Sequence, residues 1–511
     1  MIEPGEKRVI IIGGGPAGLT AAYELCKANV ASVVLEKDSM VGGLSRTIAY
    51  NGYHFDIGGH RFFTKVKAVD DLWREVLPDG DFLRRKRLSR IYYDNRFLHY
   101  PLRFSSILFN IGIGNGLLIL LSYLRAQVFP EKQERTFEQW VRNRFGSRFY
   151  QLFFKTYTEK VWGIPCDEIT ADWAAQRIKD LSLGATIRNL LFKQRAKDKG
   201  GLIKTLIEEF DYPRRGPGMM WERMAGLVAE RGGQVRLKTQ VESIEWSAGG
   251  VERIVVGRNG EREALPGSHF ISSMPIRELV RSLSPPAPSK VQTAAEKLNY
   301  RDFITVVLMV NRRDIFPDNW IYIHDPDVKM GRIQNFKNWS PHMVTDPEKT
   351  CLGLEYFCFE GDNLWMMSDE ELIELGKLEV EKVCLVKAAE VEDGAVIRVP
   401  KAYPVYDHTY KESLAVIRNF LGPLENLQLV GRNGMHKYNN QDHSMLTAML
   451  AVKNILGANY DLWAVNTEQE HMETSGEEEE EARQYRLLAS TQPPVPERVQ
   501  RLRETALESE A

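Results

Sequence analysis

Arg8-Val9-Ile10-Ile11-Ile12-Gly13-Gly14-Gly15-Pro16-Ala17-Gly18 is the stretch that decides the fold. Residues 8–12 are an apolar run of strand length, residues 16–28 read as a helix opened by Pro16, and 32–36 (Ser32-Val33-Val34-Leu35-Glu36) read as a second strand. This is one βαβ unit with a glycine turn at its first corner. Gly13 makes the tight turn, Gly15 lets backbone approach a pyrophosphate, and Gly18 lets helix and strand touch. Glu36 ends the second strand, eighteen residues past Gly18, where its carboxylate can accept ribose hydroxyls. The reading is a dinucleotide site, and the turn alone suits NAD as well as FAD.

Working outward, Gly42-Gly43-Leu44-Ser45-Arg46 and His54-Phe55-Asp56-Ile57-Gly58-Gly59-His60 follow the acidic residue and its neighbour Lys37. Two further pairs of small residues let backbone run close along a long ligand. With Glu36, Gly42, Gly43 and Thr47 in this order, the chain resembles the flavin-containing amine oxidase and protoporphyrinogen oxidase superfamily. The resemblance implies FAD, contacts from Lys37, Gly43, Leu44, Ser45, Gly58 and Gly59, and a later strand whose Val241 backbone meets the adenine.

The fold class expected is α/β: a Rossmann-like FAD domain with an inserted helical domain and an additional antiparallel β-sheet region. Residues 1–65, 201–295 and 401–465 are assigned to the first, because strand-like alternation returns at 234–237, 241–246, 252–257 and 270–273 and a last strand precedes a helix over 445–455. Residues 66–200, rich in Trp, Phe, Tyr and Arg, read as the helical substrate domain, with Thr136 capping a helix. Residues 296–400 read as a β-sheet substrate region. Residues 466–511, with the run Glu477 to Glu481, read as a flexible acidic tail.

The 511 residues carry 67 Lys and Arg against 69 Asp and Glu, so no basic surplus argues for nucleic acid and any anionic ligand is bound locally. Five cysteines without metal-ligand spacing point to free thiols, no metal and a reducing, cytoplasmic setting. The start of the chain lacks the pattern of a secretory signal. Residues 107–124 are nearly long enough to span a bilayer, but three glycines and two asparagines interrupt them, which favours a buried or membrane-grazing helix and peripheral contact at most.

Three strings carry a narrower resemblance: Gly58-Gly59-His60-Arg61-Phe62-Phe63, Tyr157-Thr158-Glu159-Lys160-Val161-Trp162-Gly163-Ile164-Pro165, and Tyr438-Asn439-Asn440-Gln441-Asp442-His443-Ser444. They resemble the UDP-galactopyranose mutases, especially the eukaryotic-type branch. Gly431-Arg432-Asn433-Gly434 and the polar run before Met445 would direct backbone donors and a positive helix end at the flavin, with Asn440, Gln441, Asp442, Ser444 and Met445 as its contacts. A helix capped by Asp442 or Ser444 is the plain alternative. His60 would lie against the flavin and titrate there. Arg177 and Arg332 match the diphosphate-gripping arginines, Tyr438 a phosphate-binding tyrosine, and Tyr403 another in an uncertain register; Tyr157 and Trp162 would line the substrate site. Arg103 and Thr158 stand where the mutases carry glutamine and asparagine, so the substrate is a UDP-sugar or another diphosphate-bearing small molecule.

The resemblance implies ring contraction of a nucleotide sugar, with reduced FAD as covalent nucleophile and NAD(P)H as a possible external reductant. The other reading is an FAD-dependent oxidoreductase of the amine oxidase, protoporphyrinogen oxidase or desaturase type, in which flavin N5 accepts hydride.

Overall fold

The computed structural model describes residues 7–78, 80–100, 112–171, 173–174, 209–258 and 260–465. Strand Arg8–Ile12 is the centre of a five-stranded parallel sheet in the order Leu427–Leu429, His269–Ser272, Arg8–Ile12, Ala31–Leu35, Gln234–Arg236. Widely separated stretches of chain build this one sheet. Val9, Ile10 and Ile11 are wholly buried, which requires paired strands on both edges and cover on both faces. Helices Pro16–Lys27 and Gln441–Ile455 pack together on it. A four-stranded sheet, Glu261–Pro266, Gly250–Arg258, Gln240–Ser247 and Leu283–Ser284, extends this part of the molecule.

The second large sheet has seven strands: Val391–Pro404, Tyr300–Val310, Thr350–Cys358, Arg332–Asn335, Trp320–Ile323, Ser89–Tyr93 and Arg96–His99. All pairs are antiparallel except Trp320–Ile323 with Ser89–Tyr93. Side chains two apart on a strand share a face, and register aligns neighbours. Tyr322, Arg332, Glu355 and Thr305 therefore form one row, and Trp320, Gln334 and Gly353 the next. A polar row on the face of a buried sheet is costly unless its members bond one another or a ligand.

The block expected to be helical from residue 66 is not uniformly so. Phe82–Lys86, Ser89–Tyr93 and Arg96–His99 are strands. Ser89–Tyr93 and Arg96–His99 form a local hairpin through Asp94-Asn95, both at positive φ, while the other edge of Ser89–Tyr93 pairs with Trp320–Ile323 and Phe82–Lys86 pairs with Glu209–Pro213, both far away in sequence. Helices do follow at Ile113–Val128, Phe137–Phe145 and Thr156–Trp162. Thr136 caps the second of these: its hydroxyl accepts from the Gln139 amide at 3.3 Å, and the Gln139 side chain accepts from the Thr136 amide at 3.2 Å.

Helix Ile113–Val128 is not buried as one alternative supposed, since Leu117, Leu118, Leu121 and Leu124 are about half exposed. No helix among the described residues is long and apolar enough to cross a membrane. Residues 107–111, Arg103, Arg177 and the acidic tail lie outside the described residues.

Candidate active site

The glycine turn is sterically committed. A Cβ on Gly18 would lie 1.8 Å from the Gly13 carbonyl oxygen, and one on Gly13 would lie 2.3 Å from Ser273 Oγ, at a φ of +101°. A Cβ on Gly43 would come within 3.1 Å of Gly15 Cα, so the second glycine turn rests directly on the first. Gly43-Leu44-Ser45 forms a single 3-10 turn there, with Ser45 buried. Glu36 closes the cradle, its two oxygens accepting from the Gly14 amide at 2.7 Å and the Asp38 amide at 2.9 Å; each oxygen keeps a further lone pair. Lys37 is exposed beside it. The Thr239 amide donates to the Glu36 carbonyl at 2.9 Å, which brings the strand carrying Val241 to the same corner.

At the other end, Gly431 turns at φ +79° against Ala17, and Asn439 Nδ2 donates to the Gly431 carbonyl at 3.1 Å. Helix Gln441–Ile455 begins four residues before Met445 because Asn440 caps it, its amide donating to His443 Nδ1 at 3.3 Å. Neither Asp442 nor Ser444 is the cap. Asp442 Oδ2 and Gln441 Oε1 are buried in the first turn with no hydrogen-bond partner, a cost that polar atoms of a bound ligand at this helix end would remove. Gln441 Nε2 meanwhile holds the Arg61 carbonyl at 2.8 Å, tying the helix start to Gly58-Gly59-His60. Ser444 Oγ donates to the Asn440 carbonyl at 2.9 Å and Met445 Sδ accepts from Trp73 Nε1 at 3.1 Å, so both are engaged structurally. Touching glycine turns, an acidic strand end and orphaned acceptors at a helix start fit FAD.

The polar row of the seven-stranded sheet faces the Gly58–His60 turn. Buried Glu355 accepts from Arg332 Nε at 2.6 Å and from Gln334 Nε2 at 2.9 Å, and Arg332 Nη2 donates to the Tyr403 hydroxyl at 3.0 Å. Tyr403 stacks on Tyr438 with ring centroids 5.5 Å apart. Trp162 flanks both at 6.3 and 6.1 Å, and the Arg432 guanidinium lies 4.8 Å from the Tyr438 ring. Tyr157 stacks on His324 at 4.5 Å and meets Tyr322 edge-on. Burial opposes charge on Arg332, yet the Glu355 carboxylate outweighs it and raises the guanidinium pKa well above its ordinary value. Burial drives Tyr157 well above the ordinary phenol value and Tyr403 up to about 12, so both remain hydrogen-bond donors.

His60 is held by its own turn. Its Nδ1 lies 2.9 Å from the Gly58 carbonyl, an acceptor, so Nδ1 carries the proton and Nε2 is left as an acceptor. Burial, then the positive Arg432 and Arg332, pushes its pKa down to about 4 despite the Gly58 bond. These surroundings favour the neutral imidazole.

Arg332, Tyr403, Tyr438, Tyr157, Trp162, Arg432 and His60 are thus brought together. Tyr406 accepts from the Tyr438 amide and stacks on Tyr410, behind this cluster. Sequence reading missed Glu355, Gln334 and His324. The alternation Gly353-Leu354-Glu355, a carboxylate within an apolar strand, is the only local signal for the first.

A parallel nucleotide sheet with glycine turns, facing a second sheet with a buried polar row, defines a two-part flavoprotein. The family model for flavin-containing amine oxidoreductases matches residues 16–436, and the chain belongs to that family; it is a flavoenzyme whose family cofactor is FAD. Among solved structures it is similar to a reduced UDP-galactopyranose mutase, 20% identical, TM-score 0.76, covering 91% of this chain and 98% of that one. A putative protoporphyrinogen oxidase from Exiguobacterium sp. 255-15 is 17% identical, TM-score 0.67, over 88% and 99%. Both likenesses concern the fold. The 1-hydroxycarotenoid 3,4-desaturase of Flavobacterium sp. (strain P99-3) is 34% identical over 92 residues, 17% of this chain and only 19% of that protein's length.

Proposed function

We propose that this flavoenzyme is a nucleotide-sugar ring isomerase of the galactopyranose mutase type. The observation that carries the reading is the cluster of Arg332, Tyr403, Tyr438 and Tyr157 beside a neutral His60. Charged guanidinium and protonated phenols suit a diphosphate that gains negative charge as it leaves a sugar. Bound FAD in its reduced form supplies the nucleophilic chemistry at the anomeric carbon. Arg332, fixed by Glu355 and Tyr403, holds a diphosphate oxygen, and the Tyr438 and Tyr157 hydroxyls donate without adding charge. His60 Nε2 accepts a hydrogen bond from a sugar hydroxyl or from the reduced ring edge. Trp162 and the stacked phenols keep water from the reacting carbon. Arg177 and Arg103 remain proposed contacts to the same ligand, Gly13, Gly15, Gly18, Glu36 and Val241 to the adenosine half of FAD, and NAD(P)H the source of electrons.

Incubation of the purified protein with UDP-galactopyranose, with and without dithionite, tests this. Furanose should accumulate in the reduced sample alone, without stoichiometric consumption of reductant, and its absence there sinks the reading. One observation favours hydride-accepting chemistry on an apolar substrate instead: the half-exposed leucines of helix Ile113–Val128, which suit a lipid-like molecule. Bleaching of oxidised flavin by such a substrate, with no furanose formed, would identify that activity.

A further inference from the structure

Lys160 lies one helical turn after Tyr157 and is not used in the reading above. Its ammonium is enclosed by backbone: Nζ donates to the carbonyls of Asp325 at 2.8 Å, Ile323 at 3.2 Å and Met330 at 3.2 Å. Three donors meet three acceptors, all at the loop joining Trp320–Ile323 to Arg332–Asn335. From the opposite side, Glu379 accepts the amides of Lys329 at 2.5 Å and Met330 at 3.0 Å. The loop begins with His324, on which Tyr157 stacks, and ends one residue before Arg332. A buried ammonium and a buried carboxylate, each satisfied by main chain rather than by the other, is an arrangement that fixes geometry.

We propose that Lys160 and Glu379 are positioning residues that clamp loop 324–331 from both sides and so hold Arg332 and the Tyr157–His324 stack in register for an anionic ligand. The inference rests on the diphosphate reading for its choice of probe. The charged and titratable groups facing the ammonium are Asp325 and His324 on the loop and Glu379 across it; Arg301 donates to the Lys160 and Val161 carbonyls of the same helix. Burial lowers the Lys160 pKa to about 8, against the pull of Glu379 and Asp325. The neutral amine has two donors for three carbonyls, so the clamp loosens as pH rises through that value.

The test uses the full-length, FAD-loaded protein and UDP as probe, with Kd measured between about pH 6.5 and 9.5, spanning that titration. The native protein should bind more weakly above an inflection near pH 8. Lys160→Arg should move the inflection out of the range, and Lys160→Met should bind about tenfold more weakly with little pH dependence, the scale of a small misplacement at a site. Native Kd in Lys160→Met, or an unmoved inflection in Lys160→Arg, overturns the proposal. If Lys160→Met loses FAD, the Lys160→Arg profile decides. Hydrogen exchange over 324–331 needs no nucleotide: faster exchange in Lys160→Met and Glu379→Gln supports the clamp, and unchanged exchange refutes it. Failure of the native protein to bind UDP would instead refute the nucleotide reading.

Discussion

Replacing Glu355 with glutamine should move stability and ligand affinity in opposite directions. The carboxylate is fully buried and receives two donors, Arg332 Nε at 2.6 Å and Gln334 Nε2 at 2.9 Å. An amide in its place offers one oxygen and sets its own NH2 against the second donor. Loss of a charge-assisted bond costs about 1.5–3 kcal/mol, and breaking a buried pair from one side about 3–5 kcal/mol. A loss of about 3 kcal/mol is therefore expected in urea unfolding of the FAD-loaded protein. The same change removes a negative charge beside Arg332. At an effective dielectric of ~20 and a separation of ~7 Å, one unit charge is worth about 2 kcal/mol, or roughly thirtyfold. Calorimetric titration should show UDP binding tighter by about that factor. Weaker or unchanged binding would refute the view that Glu355 holds part of the Arg332 charge in reserve, and unchanged stability would refute the buried pair as a structural element.

Gly18→Ala should abolish FAD retention, because its Cβ would meet backbone at 1.8 Å, whereas Gly226→Ala, with no atom within 4 Å on a helix, should stabilise by about 0.5–1 kcal/mol; cofactor content and thermal unfolding compare them. Asp56 is raised from 3.8 to about 7 by burial, against hydrogen bonds from Tyr212 and Thr47. Raised in the folded state, it contributes stability present below pH 4 and lost as pH rises toward 7, about 4 kcal/mol, and urea titrations of Asp56→Asn should lack that slope. His324 is lowered from 6.5 to about 3 by burial and then by Lys160. Its contribution is present above pH 6.5 and lost as pH falls toward 3, about 5 kcal/mol, so His324→Asn should unfold less steeply in acid on a circular-dichroism pH titration.

The sequence by itself determined the nucleotide-binding corner. Strand, glycine turn, helix and acidic strand end are local, and the positive φ of Gly13 and the clash that a side chain at Gly18 would make with the Gly13 carbonyl arise within a few residues of chain. The family followed from the same local strings, as did the cap at Thr136, where a Ser/Thr hydroxyl and a glutamine three residues on satisfy each other. Strand Phe82–Lys86 was not legible within an aromatic block expected to be helical, because its partner Glu209–Pro213 lies more than a hundred residues away; Ser89–Tyr93 turns back locally through Asp94-Asn95 onto Arg96–His99, a hairpin signal that the aromatic composition of the block masked, and only its other edge pairs with the distant Trp320–Ile323. The tertiary structure alone brought Glu355 under Arg332, stacked Tyr403 on Tyr438, and set His60 beside Arg432 and Arg332. Each of these depends on sheet register and on burial among charges from distant segments, and neither quantity is written in any local stretch of residues.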